Sequence, residues 1–229
     1  QGVFELPPQL GLLLGLDVVL FIMAVMGGRV IPMFTNNGVP GTRAMRHPLV
    51  EKLALGAVLL LFAADLLQLQ PVVVAAITLF GAAAHGVRLL LWQPWRTLST
   101  PLVWTLHAAY AWIVVHLVLR GLAGLELQAE SFSIHALTVG AIGGLTLGMM
   151  TRTARGHTGR PLVADRFEAA MFLLIQIAAL VRVFCAWAWP GLQLASVQLS
   201  GLCWAAAFGL YAVRYWPVLT QPRLDGKHG

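Results

Sequence analysis

Four histidines, His85, His107, His116 and His135, fall inside stretches that are otherwise almost wholly apolar. An ionisable side chain in such a stretch is costly and is read as a candidate functional site. Imidazole there is suited to ligating a metal or relaying a proton. His85 shares a helical stripe with Thr78, Gly81, Arg88 and Trp92, and His107 shares one with Trp104, Tyr110, Ala111 and Val114. A histidine beside a small residue and one turn from an arginine or aromatic suits a flat macrocyclic cofactor. The imidazole ligates iron, the glycine leaves room, and Arg88 pairs with a propionate. Hydrogen-bonded packing is the alternative at each histidine. Met149, Met150 and His157 place two thioethers and an imidazole within nine residues, a copper-type donor set. Asp17 and Asp65 are read either as a proton relay or as buried carboxyls bonded to a neighbouring Ser, Thr or Arg. Cys185 and Cys203 stand singly and read as small apolar residues.

These groups must be positioned by elements that lie in lipid. The 229 residues are 59% hydrophobic and 10% charged, with a mean hydropathy of +0.79, whereas a soluble domain carries about 25% charge. About 20 apolar residues cross a hydrocarbon core as a helix. Seven stretches meet that length, at 10–31, 50–68, 71–92, 101–121, 131–152, 166–188 and 194–216. No stretch alternates like a barrel strand, so the fold is an all-α polytopic membrane bundle, a single domain over 1–229. At about 1.5 Å per residue, His85 and His107 lie level, roughly 10 Å from one end of their antiparallel helices. His116 and His135 repeat the arrangement near the other face. On the fifth stretch, Gly140, Gly144 and Gly148 form a small-xxx-small packing row, and His135, Thr138, Ile142, Thr146 and Met149 lie opposite. Most tryptophans, at 92, 95, 104, 187, 189, 204 and 216, read as interfacial anchors.

Of the 15 Lys and Arg residues, thirteen fall on the side where the first helix ends, among them Arg29, Arg43, Arg46, Lys52, Arg88, Arg152 and Lys227. Arg120 and Arg182 fall toward the other. This bias predicts a cytoplasmic location for the basic side and the C-terminus, with residue 1 external. Arg182 reads as snorkelling to its interface. The pI of about 10.2 then reflects topology and lipid headgroups, not nucleic acid. The chain starts on Gln, without a signal peptide pattern, so further sequence is expected before it. No catalytic triad, HExxH, CxxC or phosphate loop is present.

Three blocks, GGRVIPMFTNN (27–37), AHGVRLLLWQPWRTLSTPLVWTLHAAYAW (84–112) and HALTVGAIGGLTLGMMTRTARGHTGRPL (135–162), resemble the NnrS family, over about residues 15–220. The resemblance implies a polytopic protein of the bacterial cytoplasmic (inner) membrane, containing haem b and copper and linked to the nitric oxide response. Members have about twelve spans, each of the length a bilayer demands, so this chain corresponds to the C-terminal seven helices. His85, His107, His135 and His157, with Arg29, Pro32, Tyr110, Arg152, Gly156 and Gly159, match family motif positions, whereas His116 and His47 do not. The resulting expectation is haem on His85, His107 and His135, propionates on Arg29, Arg88 and Arg152 near Tyr110, and copper on Met149, Met150 and His157. Nitric oxide, the lipid bilayer, a missing N-terminal half and a respiratory-chain component are the expected partners. Two other readings remain open. One is a transporter working through Asp17 and Asp65, and the other an accessory or assembly subunit of a respiratory oxidase or reductase that docks through the glycine row.

Overall fold

The computed structural model describes residues 8–226, so residue 1 and Lys227 lie outside the described residues. Seven long helices account for the fold: α1 (Pro8–Gly38), α2 (Pro48–Leu66), α3 (Pro71–Leu91), α4 (Pro101–Gly124), α5 (Glu130–His157), α6 (Arg166–Ala188) and α7 (Gln193–Thr220). No strand occurs among the described residues. Proline opens α2, α3 and α4, where its missing N–H costs nothing and its fixed φ suits the first turn. A capping box opens α6: the Asp165 carboxylate accepts from the Phe167 and Glu168 amides, and Glu168 accepts from the Asp165 amide. Gln68, Gln93 and Glu126 turn the chain left-handed just past α2, α3 and α4.

Six of the seven helices are long and apolar enough to cross a membrane. The exception is α2, whose 19 residues include Glu51, Lys52 and Asp65. The span expected over 50–68 is thus a helix in the right place, but too charged to count as a span on length and apolarity. Its two carboxylates are answered by arginines of α3 and α4, as described below. The outward side chains are largely apolar, among them Leu12, Ile22, Leu60, Val72, Leu173, Leu202 and Val213. A continuous shell of this kind is what lipid, and not water, accommodates.

Helix α4 is the hub. Its spanning window is 67% buried, more than any other span, and it packs against α1, α3, α5 and α6. The glycine row packs as the small-xxx-small spacing implies. A methyl at Gly144 would stand 2.7 Å from Ala109 Cβ, one at Gly148 would stand 2.8 Å from Leu106, and one at Gly140 would overlap Trp112. Since all three neighbours belong to α4, this face is filled within the chain and has no room for a docking subunit. Gly81, read as making room for a cofactor, likewise lies against Ala57 and Leu117.

Two segments depart from the regular helix: Ala136–Ile142 in α5 and Val181–Cys185 in α6 are π-helical. They begin next to His135 and Arg182, which touch each other. The basic connections gather at one end of the bundle: the Met45 amide bonds Leu91 O, Arg96 bonds Gly41 O, and the Leu224 amide bonds Thr158 O. Cys185 and Cys203 are free thiols, half-buried. Trp95, Trp187, Trp189 and Trp216 are exposed near helix ends as anchors should be. Trp92 is not an anchor: it is fully buried, against Tyr110 and His107.

Candidate functional site

The GGR turn of α1 meets the end of α3. Arg88, 1% exposed, reaches out of α3 into a closed set of acceptors. Its Nε and Nη2 donate to Glu51 at 2.8 and 2.5 Å, and its Nη1 donates to Ala24 O at 2.8 Å and to the Tyr110 hydroxyl at 2.9 Å. Gly28 exists for this contact, because any Cβ there would overlap the guanidinium. Gly27 similarly gives the Tyr110 ring its place, with a Cβ 3.2 Å from it.

Tyr110 hands the network on to His85, whose Nδ1 lies 2.6 Å from the hydroxyl. His85 Nε2 lies 3.1 Å from Ala54 O. A carbonyl only accepts, so Nε2 carries the hydrogen and Nδ1 receives the Tyr110 proton. Both ring nitrogens are therefore engaged, and His85 is sealed among α2, α3 and α4.

His107 also packs against Trp92, with ring centroids 6.3 Å apart. Its Nε2 lies 2.7 Å from Thr35 Oγ1, and that hydroxyl donates to Ile31 O at 2.8 Å. Nε2 thus supplies the hydrogen and Nδ1 is left bare, buried and without a partner among the described residues. His116 mirrors it: Nδ1–H donates to Ser133 O at 2.8 Å, and the buried Nε2 has no partner. Half-buried His135 accepts at Nε2 from Arg182 Nη2, 2.9 Å away. Arg182, expected to snorkel, is thus bonded to His135 of the neighbouring helix. The sequence reading set His116 level with His135; in the structure His116 meets Ser133 O, two residues earlier, while His135 bonds Arg182.

The carboxylates Asp17 and Asp65 converge on one residue that the sequence reading had merely placed on the far side. Arg120, buried one turn from His116, donates through Nη1 to Asp17 at 2.7 Å and through Nη2 to Asp65. Both acids thus have an arginine partner, the arrangement expected of structural carboxyls. Arg155, Glu168 and Tyr215 form a third buried polar cluster, between α5, α6 and α7.

The copper set does not converge. Met149 borders an apolar groove of about 340 Å³ with Met23, Met26 and Leu106; Met150 is exposed; His157 lines a different, polar cavity at the helix end. No cluster of three His, Cys, Asp or Glu able to hold a metal occurs among the described residues. Of the three arginines expected to meet propionates, Arg88 is taken up by Glu51, Arg29 is exposed and Arg152 lines the polar cavity.

For a haem, the donor chemistry fits at two rings and the space does not. An imidazole that ligates metal through one nitrogen has the other anchored by a hydrogen bond, which is the state of His107 and His116 and not of His85 or His135. Neither of those rings borders the cavities of about 570, 340 or 290 Å³. A macrocycle held within this chain alone does not fit the packing. Sequence reasoning named His116 but left it out of the ligand set, placed Arg120 without a partner, and passed over Glu51. For the two charges, matching depths on neighbouring helices would have found the partners.

No curated protein and no solved structure matches the chain. The family model described as NnrS protein matches residues 2–223. That range takes in every helix from α1 to α7, and the chain belongs to the NnrS family.

Proposed function

We propose that this chain acts in the nitric oxide response of a bacterial cytoplasmic membrane, as the C-terminal seven-helix part of a haem- and copper-containing protein, with its basic end in the cytoplasm. Family membership supports the link to nitric oxide, and the six apolar spans support the membrane. The observation that carries the metal reading is the pair of bare buried nitrogens, His107 Nδ1 and His116 Nε2. A buried polar atom without a partner is costly, and a lone pair held in fixed orientation is what a metal requires.

Each protein group then has a definite task. Thr35 and Ser133 O hold the hydrogens of the two rings and so fix which nitrogen is free. Trp92 and Tyr110 pack the interior beside His107 and exclude water. Arg88, Glu51 and His85 lock α2, α3 and α4 together beneath it. Iron or copper held by His107 or His116 would supply reversible ligation of nitric oxide and one-electron exchange.

A strain lacking the gene, challenged with nitric oxide during anaerobic growth, tests this. Wild type should restore growth, and His107→Ala and His116→Ala should fail to, at equal membrane abundance. Full restoration by both variants would overturn the assignment.

A further inference from the structure

At the basic end of the bundle, a cavity of about 570 Å³ opens between α1, the start of α4, the end of α5 and the tail beyond α7. Its walls include Asn37, Thr100, Arg152, Thr153, His157 and Arg223. No carboxylate is among the lining residues. Arg223 is balanced by its own neighbour Asp225, at 2.9 and 2.7 Å.

Arg152 is not balanced. It is only 7% exposed, yet it has no hydrogen bond or ion pair among the described residues, and its guanidinium lies over the Phe34 ring at 3.9 Å. Every other buried arginine here has a carboxylate: Arg88 has Glu51, and Arg120 has Asp17 and Asp65. A buried cation left unpaired is strongly destabilising, and a guanidinium offers a fork of donors matched to phosphate and carboxylate. Gly156 is the second observation. One turn on from Arg152 and on the same helix face, it lines the cavity and a Cβ there would meet nothing within 4 Å. The space beside the guanidinium is kept open.

We propose that this cavity is an anion-binding site, in which Arg152 takes a phosphate or carboxylate group, assisted by His157, Thr153 and Asn37. The volume is that of a small-molecule site, and the ligand class is an organic phosphate or carboxylate, either soluble or the headgroup of an anionic lipid. The inference is independent of the metal reading, since it uses no intramembrane histidine.

The full chain, purified in neutral detergent, is titrated calorimetrically with inorganic phosphate, and phosphatidylglycerol retained from mixed vesicles is quantified in parallel. Arg152→Gln should weaken whichever ligand binds by at least about tenfold, the worth of a hydrogen bond to a charged group. Gly156→Glu should do the same by placing a carboxylate four residues from Arg152, at a position with space for it. The exposed Arg43→Gln, outside the cavity, should leave binding unchanged. Saturable phosphate binding lost in both cavity variants identifies a soluble ligand. Selective phosphatidylglycerol retention lost in both identifies a headgroup. No saturable phosphate binding together with equal lipid retention, or binding that persists in Gly156→Glu, overturns the proposal.

Discussion

Replacing Gly28 by alanine should unlock the polar core at the end of α3. A methyl at this position would stand 2.5 Å from Arg88 Cζ and nearer still to Nη2, so the guanidinium has to leave. Leaving breaks two bonds to Glu51, one to Ala24 O and one to Tyr110. The side chain is 1% exposed and cannot rotate into water. Breaking a buried ion pair costs about 3–5 kcal/mol. For a chain of this size each kcal/mol lowers Tm by roughly 2–4 °C, which gives a drop of about 6–20 °C. Thermal unfolding in neutral detergent reads the effect directly. Gly56→Ala is the control: its Cβ meets nothing within 4 Å, and alanine gains about 1 kcal/mol over glycine in a helix. If the clash is with Arg88, the cost of Gly28→Ala should vanish in an Arg88→Met background. A Gly28→Ala protein melting within about 2 °C of wild type, or an undiminished cost in the Arg88→Met background, would refute this reasoning.

Arg120→Met strands two buried carboxylates and should destabilise by about 3–5 kcal/mol; adding Asp17→Asn and Asp65→Asn should recover much of the loss in the same unfolding assay. Gly144→Leu pushes α5 away from Ala109 of α4, at an expected cost of about 1–3 kcal/mol from overpacking, while Gly201→Leu, whose Cβ meets nothing within 4 Å, should be nearly neutral. Asp165 lies outside the spans, and its hydrogen bond with Glu168, reinforced by two backbone amides and Arg214, holds its carboxyl down at about 2. Because the folded value is depressed, its contribution is complete above the ordinary value of 3.8 and fades as pH falls through about 2. Asp165→Ala should cost about 1 kcal/mol as a lost cap at pH 7 and nothing below pH 2, read as converging melting curves.

The helices were legible because bilayer length, apolar runs and opening prolines at 48, 71 and 101 all point the same way. Depth counting set His116 level with His135, and the structure brings His116 to Ser133 O, two residues before it, while His135 meets Arg182. The same count would have paired Glu51, three residues into α2, with Arg88, three residues from the end of α3. The gap lay in leaving surface-proximal charges unmatched. Which nitrogen of each imidazole is free could not be read at all. It depends on Thr35, 72 residues from His107, and on Ser133 O, a backbone atom with no sequence signature. The glycine row was legible as a packing face, but a spacing does not name the helix it meets, and that helix is α4. The π segments of α5 and α6 follow from no residue pattern that we can identify.

Haem and copper content of the intact membrane protein, measured across single histidine variants, tests the central claim most directly. His107→Ala and His116→Ala should each lose haem or copper, visible as a reduced absorption band or metal-to-protein ratio. His85→Gln should keep its cofactors and instead lose stability, since both nitrogens of His85 serve the helix contacts. Full cofactor content in His107→Ala and His116→Ala, with loss confined to His85→Gln, would contradict the account.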